Sequence, residues 1–340
     1  MESIYGKTLT DLENYFLALK EKKFRAQQLF EWLYEKRIDD FHQMTNLKKE
    51  IIDQLKKDFI LSPVKIVKKE EDIDVKKYLF ELTDHEHIEA VLMLHDYGTS
   101  LCVSSQVGCN MGCKFCESGR RKKVRNLTSA EMVSQILEIE KEIKTKITHV
   151  VVMGIGEPFD NYDNLIKFIE IINHPKALAI GSRHITVSTC GIVPKILEFA
   201  NLKYQVNLAI SLHAPNDEIR NQIMPINKGY PLKDLMASLK TYYEKTNRRI
   251  TFEYILLKGI NDSEECAKEL SKLLKGINCY VNLIPYNETN NIDFKRSNAI
   301  QIAKFYDILK KNKTAVTIRR EFGSNISAAC GQLRSKKEEV

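Results

Sequence analysis

No stretch of this chain approaches the ~18 to 20 consecutive apolar residues that a membrane span requires, and the opening Met1-Glu2-Ser3-Ile4-Tyr5-Gly6 lacks the apolar core of a secretory signal. A cytoplasmic protein is expected. Its eight cysteines are then thiols, ligands or catalytic groups, not a disulfide framework. Internal repeats and low-complexity segments are also missing, so repeat arrays and disordered scaffolds are set aside. The dinucleotide fingerprint G-x-G-x-x-G is absent too. Gly154-Ile155-Gly156-Glu157-Pro158-Phe159 begins like it, but Phe159 stands where the third Gly belongs and Glu157-Pro158 interrupts the turn.

What is present is the composition of a soluble enzyme. The 340 residues, 43% hydrophobic and 29% charged, suffice for a large core and predict one large domain with a smaller one. The net charge of +7 is modest but uneven. It concentrates in Arg120-Arg121-Lys122-Lys123-Val124-Arg125, in Arg319-Arg320 and in Arg334-Ser335-Lys336-Lys337. Basic groups beside a reactive centre favour a substrate with phosphates, although a solvated charged loop accounts for the run equally well.

Hydrophobic spacing predicts helices over residues 8 to 60, in a small N-terminal module. Short strands are expected between 64 and 95, with Val64–Val67 and Lys77–Leu82 as candidates. The chain divides near residue 90, and from about residue 100 strands and helices alternate. Strands are predicted at 101–107, 149–153, 184–189, 206–212, 250–256, 280–284 and 315–318. Helices fit 162–173, 192–200, 231–245, 263–275 and 297–311, and the clearest begins at the capping-box sequence Thr128-Ser129-Ala130-Glu131. Regular alternation implies a parallel sheet with its functional groups at the carboxyl ends of the strands.

The most informative stretch is Gly108-Cys109-Asn110-Met111-Gly112-Cys113-Lys114-Phe115-Cys116. A structural zinc site usually takes four ligands, and no second C-x-x-C pair or nearby His supplies the fourth. Three thiolates suit a four-iron cluster with one open iron, which can chelate S-adenosylmethionine so that an electron splits its sulfonium bond. The spacing C-x-x-x-C-x-x-C resembles the signature of the radical S-adenosylmethionine superfamily. Further polar groups end predicted strands: Gly156-Glu157, Ser188, Ser211-Leu212-His213 and Asn287. They could hold ribose or the methionine end of such a ligand, or could equally be turn and cap residues. Cys102 and Cys330 remain open between a fourth ligand, a nucleophile and a buried small side chain.

Four longer motifs narrow this reading. Cys102-Val103-Ser104-Ser105-Gln106-Val107-Gly108-Cys109, Met153-Gly154-Ile155-Gly156-Glu157-Pro158, Ser211-Leu212-His213-Ala214-Pro215-Asn216-Asp217 and Ala328-Ala329-Cys330-Gly331-Gln332-Leu333 resemble the RlmN/Cfr family of radical S-adenosylmethionine RNA methyltransferases. The resemblance covers nearly the whole chain. It implies an α/β fold, a partial (β/α)6 radical-SAM barrel over residues 91–340, with a small helical N-terminal accessory domain over 1–90 that contacts RNA. It implies methylation of an adenine ring carbon: carbon 2 of adenosine 2503 in 23S rRNA and adenosine 37 of tRNAs for RlmN members, carbon 8 of the rRNA adenosine for Cfr members. Gly156-Glu157-Pro158, residues 184–189 and Asn282-Leu283-Ile284-Pro285 read as RlmN-like.

The same resemblance implies a 4Fe-4S cluster on Cys109, Cys113 and Cys116. S-adenosyl-L-methionine, two molecules per turnover, would be held by Gly156, Glu157, Ser188, Ser211, Leu212, His213 and Asn287. Cys330 would carry the methyl group, Glu89 would accept a proton, and Cys102 would release the product through a transient disulfide. A monomer acting on 23S rRNA and tRNA, with an electron donor such as flavodoxin and no membrane, is expected. The chain departs from the family pattern at Glu117-Ser118, in the basic run 120–125 and at Ser324-Asn325-Ile326-Ser327. Two other classes remain: a radical enzyme acting on a small molecule or peptide, and a non-catalytic cluster protein that binds RNA.

Overall fold

Runs such as Val150-Val151-Val152 and Leu208-Ala209-Ile210 have β-branched and apolar residues without alternation, the pattern of strands covered on both faces. In the computed structural model, which describes residues 1–289, 291–319, 326, 328 and 331–333, these runs lie at the centre of a ten-stranded sheet. Its strands are β1 (Val64–Asp72), β2 (Val75–Leu82), β3 (His87–His95), β4 (Gly98–Cys102), β5 (His149–Val152), β6 (Ile185–Thr189), β7 (Asn207–Ser211), β8 (Ile250–Leu256), β9 (Cys279–Pro285) and β10 (Val316–Ile318). Every strand lies beside the one that precedes it in the chain. From β4 to β10 all pairs are parallel, whereas β1 to β4 form an antiparallel meander.

Stepwise parallel crossovers of one hand put their helices on one side and curl the sheet around the other. The result is a partial (β/α)6 barrel of the radical-SAM type. Its helices are α4 (Ser129–Ile143), α5 (Tyr162–Asn173), α6 (Val193–Phe199), α7 (Asp217–Ile223), α8 (Leu232–Thr246), α9 (Glu264–Leu273) and α10 (Ala299–Lys311). All but α7 are outer helices, and α7 lies at the carboxyl ends of the strands, with Ile223 beside the 109–116 loop. Predicted strands and helices match these within a few residues, with two differences. The chain leaves the sheet at Val103, because the backbone of Ser104 bonds the buried amide of Gln135 instead of continuing the ladder; Gln106–Val107 then pairs separately with Arg125–Asn126. α7 had no sequence signal beyond its Asn216 cap.

The N-terminal module is helical, with α1 (Leu9–Ala18), α2 (Phe24–Tyr34) and α3 (Lys49–Asp58). Its apolar faces bury Leu12, Phe16, Leu29, Phe30, Leu33 and Leu55, in one core continuous with that of the barrel. The contact is close at Gly6, where an added Cβ would meet Ala130 at 3.1 Å. β3, which contains residue 90, joins the meander to the barrel. Residues 88–93 of this strand are all buried, so the sequence offers no alternation there, only an apolar run from Ala90 to Leu94. No helix among the described residues is long and apolar enough to cross a membrane.

The capping box that opens α4 is complete: Thr128 Oγ1 accepts from Glu131 N at 3.2 Å, and Glu131 Oε2 accepts from Thr128 N at 2.8 Å. Thr128→Ala is expected to lower stability by about 1 kcal/mol in urea denaturation, and Thr128→Ser to retain most of it.

Candidate active site

At the carboxyl ends of the parallel strands lies an open-mouthed cavity of ≈ 160 Å³. Cys109, Cys113 and Cys116 all line it, on a loop folded back by its own bonds. Cys109 N donates to Arg121 O at 2.9 Å, and Lys114 N to Ile223 O at 2.9 Å. Gly108 makes the return possible. Its φ is +74°, and a Cβ there would lie 2.4 Å from Lys122 O. Burial pushes the Cys109 thiol up to about 12 and the Cys113 thiol well above its ordinary value, and the neighbouring cysteines and Glu157 add to this. Thiolates here therefore require a cationic partner. The three thiols face one space, yet no three His, Cys, Asp or Glu among the described residues converge on a single-ion site. A four-iron cluster, three of whose irons would each take one thiolate, suits three thiols that share one space.

Across the cavity stand Gly156 and Glu157, in the turn after β5. Gly156 is required by the chain itself: φ is +110° and a Cβ would meet Gln106 N at 2.8 Å. Glu157 is buried, and both its oxygens accept backbone donors, Phe159 N at 3.0 Å and Cys190 N at 2.7 Å. Burial raises its carboxyl above the usual range, and these bonds oppose the shift. Ser188 and Ser211 line the same wall with their hydroxyls 3.4 Å apart.

His213 has φ +57° and lines the cavity with Phe115 edge-on to its ring at 4.9 Å. Its Nδ1 accepts from Ile255 N at 3.0 Å, which leaves the proton on Nε2. Burial, and then the Arg220 guanidinium, push the imidazole down to about 3. Leu212 and Asn287 do not line the cavity. Leu212 is a fully buried core side chain whose N–H bonds Glu253 O at 3.1 Å, and Asn287 is buried just beyond β9.

Two residues that the sequence reading passed over, Arg220 and Glu253, shape this site together with Arg319, which that reading named only as part of a basic pair. Arg220 on α7 is fully buried and donates to the carbonyls of Cys190 at 2.7 Å, Ser211 at 3.3 Å and Leu212 at 3.1 Å, and to Asn227 Oδ1 at 2.8 Å. Glu253 on β8 and Arg319 beyond β10 also line the cavity, with Arg319 Nη1 3.9 Å from Glu253 Oε2. Burial raises the Glu253 carboxyl, while Arg319 and Asn282 oppose it. An acidic residue in mid-strand gives no motif. Its meaning appears only when the strands are laid side by side.

Glu89 and Cys102 lie next to the cavity, on the antiparallel side. Cys102 pairs with Val91 across β3 and β4, so Glu89, two residues along, shares its face. Lys77 Nζ is 3.6 Å from Glu89 Oε1 and 2.6 Å from Glu70 Oε2. On the same face Cys102 packs in a cluster with Val91, Met93, Ile155, Ala328 and Leu333. Cys330 lies outside the described residues, but Ala328 and Leu333 stand on either side of it in the chain. The loop is further held by Glu117 N, which donates to Gly331 O at 2.8 Å, and by Ser118 Oγ, which donates to Leu333 O at 2.8 Å.

The basic run after the cluster motif is largely neutralised from within. Arg121 pairs with Glu86, Lys123 with Asp160, and Arg125 with both Asp84 and Glu131, at 2.6 to 2.8 Å. Arg120 donates to Asn291 O. The run's charge therefore organises the loop more than it offers sites to phosphates.

Residues 103–270 match the Radical SAM superfamily, and residues 3–61 match the Ribosomal RNA large subunit methyltransferase N-terminal domain. The "Probable dual-specificity RNA methyltransferase RlmN" of Spiroplasma citri is 52% identical over 100% of this chain and 99% of its own; that of Enterococcus faecalis is 54% identical over 99% and 97%. The chain belongs to the RlmN family of radical S-adenosylmethionine RNA methyltransferases. The crystal structure of a radical SAM methyltransferase from Sphaerobacter thermophilus superposes with a TM-score of 0.94, at 41% identity, covering 99% of this chain and all of that one. As an RlmN family enzyme the chain requires S-adenosylmethionine and a 4Fe-4S cluster, and the cavity's three thiols and polar wall fit both.

Two outcomes test this framework. Arg220→Met leaves the Cys190, Ser211 and Leu212 carbonyls short of a donor and should cost about 3 kcal/mol or more in urea denaturation. His213 binds no proton in the folded state until far below the ordinary ~6.5 of an unfolded His. Its contribution to stability is present above pH ~6.5 and is lost by up to about 1.4 kcal/mol per pH unit as the pH falls below that value. The difference in stability between wild type and His213→Asn should therefore change between pH 7 and pH 5, with wild type losing more.

Proposed function

We propose that this enzyme methylates carbon 2 of adenosine 2503 in 23S rRNA and of adenosine 37 in tRNAs, with Cys330 as methyl carrier. The observation that carries the reading is the packing of Ala328 and Leu333, which flank Cys330, against Cys102 on the sheet face that also bears Glu89. An electron-poor adenine carbon is a poor nucleophile, so a thiolate that first accepts the methyl group avoids direct transfer from a sulfonium. Cys109, Cys113 and Cys116 would hold the cluster. Gly156, Glu157, Ser188, Ser211, Leu212, His213 and Asn287 would hold S-adenosylmethionine, Leu212 through its backbone. When bound, these groups supply a methyl group and a 5′-deoxyadenosyl radical, from two molecules of S-adenosylmethionine per turnover.

The chain's own residues do the rest. The Cys330 thiolate takes the methyl group; one hydrogen of that group is then lost to the 5′-deoxyadenosyl radical, and the carbon bonds the adenine ring to give a protein–RNA adduct. Glu89, kept beside the Lys77 ammonium, receives the proton displaced from the ring, and the surplus electron would return to the cluster. Cys102 Sγ then attacks Cys330 Sγ: the sulfur–sulfur bond forms, the sulfur–carbon bond breaks with its electron pair on carbon, and that carbon takes up a proton to leave a methyl group on the adenine. The resulting disulfide is reduced before the next turnover. Residues 1–90 would contribute to RNA contact, and an electron donor such as flavodoxin would serve the cluster of a cytoplasmic monomer. Preference for carbon 2 over carbon 8 is supported by Gly156-Glu157-Pro158 and by the RlmN relatives.

Anaerobic incubation of reconstituted protein with rRNA or tRNA, S-adenosylmethionine and a reductant should yield 2-methyladenosine by nucleoside mass spectrometry. The product should vanish with Cys330→Ala, and Cys102→Ala should accumulate a covalent protein–RNA adduct visible on a denaturing gel. 8-Methyladenosine would move the reading to Cfr-type chemistry. Cleavage of S-adenosylmethionine without either product would point to a substrate other than RNA.

A further inference from the structure

Five neighbouring segments of the barrel each place a polar side chain in one row across its interior. Ser188 comes from β6, Ser211 from β7, Glu253 from β8, Asn282 from β9, and Arg319 follows β10. The ladder aligns Ser211 with Glu253 and Glu253 with Asn282, so these side chains share a face. The row is joined by contacts: the two serine hydroxyls are 3.4 Å apart, Asn282 Nδ2 donates to Glu253 Oε1 at 2.9 Å, and Arg319 Nη1 stands 3.9 Å from Glu253 Oε2.

One atom in this row is left over. Glu253 is 5% exposed and lines the cavity, yet its Oε2 has no hydrogen-bond partner, and the guanidinium beside it is beyond hydrogen-bond reach. A buried carboxylate oxygen without a donor is costly unless a ligand supplies one. A carboxylate only accepts, so the ligand must bring an O–H or N–H. The two hydroxyls next to it can each donate or accept. One fixed acceptor flanked by two adaptable groups matches a pair of neighbouring hydroxyls. A ligand carboxylate would be repelled. Depth separates the remaining donors: Glu253 lies opposite the last residue of β7 and three residues short of the end of β8, below the rim where a base would enter.

We infer that Glu253 Oε2 accepts a hydrogen bond from a ribose hydroxyl of S-adenosylmethionine, with Asn282 and Arg319 as positioning residues that orient the carboxylate. The inference rests on the reading that this cavity takes S-adenosylmethionine, and it assigns Glu253 a contact with that molecule's sugar. Arg319 supplies the opposite charge that lets a carboxylate sit here, and Asn282 fixes its other oxygen, so that only Oε2 faces the ligand.

Equilibrium binding to the cluster-loaded protein, with reductant withheld, tests this. S-adenosylmethionine, its 2′-deoxy and 3′-deoxy forms, and an analogue lacking the purine amine are each measured against wild type, Glu253→Ala and Glu253→Gln. Cluster absorbance and thermal unfolding confirm that each variant is intact, and the near-isosteric Glu253→Gln serves if Glu253→Ala does not fold. Glu253→Ala should weaken S-adenosylmethionine binding by about 10- to 100-fold, the range of a charge-assisted hydrogen bond. One deoxy analogue should bind wild type correspondingly more weakly and bind wild type and Glu253→Ala almost alike. If both deoxy penalties persist undiminished in the variants, or if the amine-lacking analogue is the one whose penalty disappears, the assignment to ribose is overturned. Wild-type protein that carries its cluster but binds no S-adenosylmethionine would overturn the underlying reading as well.

Discussion

A single buried guanidinium sets the shape of the cavity. Arg220 reaches from α7 across the ends of β6 and β7 and bonds three carbonyls in the turns that follow them. Those turns carry Cys190, Ser211, Leu212 and His213, so the positions of the polar wall are tied to one side chain that does not itself line the cavity. It also explains a local cost. A full positive charge sits nearby, and this helps keep His213 neutral and available as an N–H donor on its Nε2 side.

The sheet divides its labour along its width. Its parallel half presents strand ends to one cavity, as expected of a barrel in which loops after the strands build the site. Its antiparallel extension offers a flat face on which Glu89 and Cys102 stand, out of the cavity but beside it. The loop that holds Ala328 to Leu333 spans the border: Gly331 lines the cavity while Leu333 packs on the extension. A segment on such a border touches both sets of groups at once.

Much of this was legible in the sequence, and the reasons differ by residue. Cys109, Cys113 and Cys116, which the structure brings to one cavity, stood out by their short spacing, and β5 and β7 by their uninterrupted apolar runs. The glycines at 154 and 156 stood out as parts of a motif; the structure shows them set against the chain's own Val103, Ser104 and Gln106, where a Cβ would not fit. Glu253 and Arg220 were illegible because their roles depend on pairing between strands or on burial within the fold, neither of which leaves a local pattern, and Arg319 was seen as a basic residue but not as the partner of Glu253. The basic run 120–125 was ambiguous for a related reason. Its partners Asp84, Glu86, Glu131 and Asp160 are scattered over the sequence, and charge counted along the chain misses ion pairs made through space.

The bonds from Glu117 N to Gly331 O and from Ser118 Oγ to Leu333 O join the residues just after Cys116 to Gly331 and Leu333. In the chain 215 positions separate Ser118 from Leu333. In space one hydroxyl spans that interval, so a substitution that removes it is felt at both places at once.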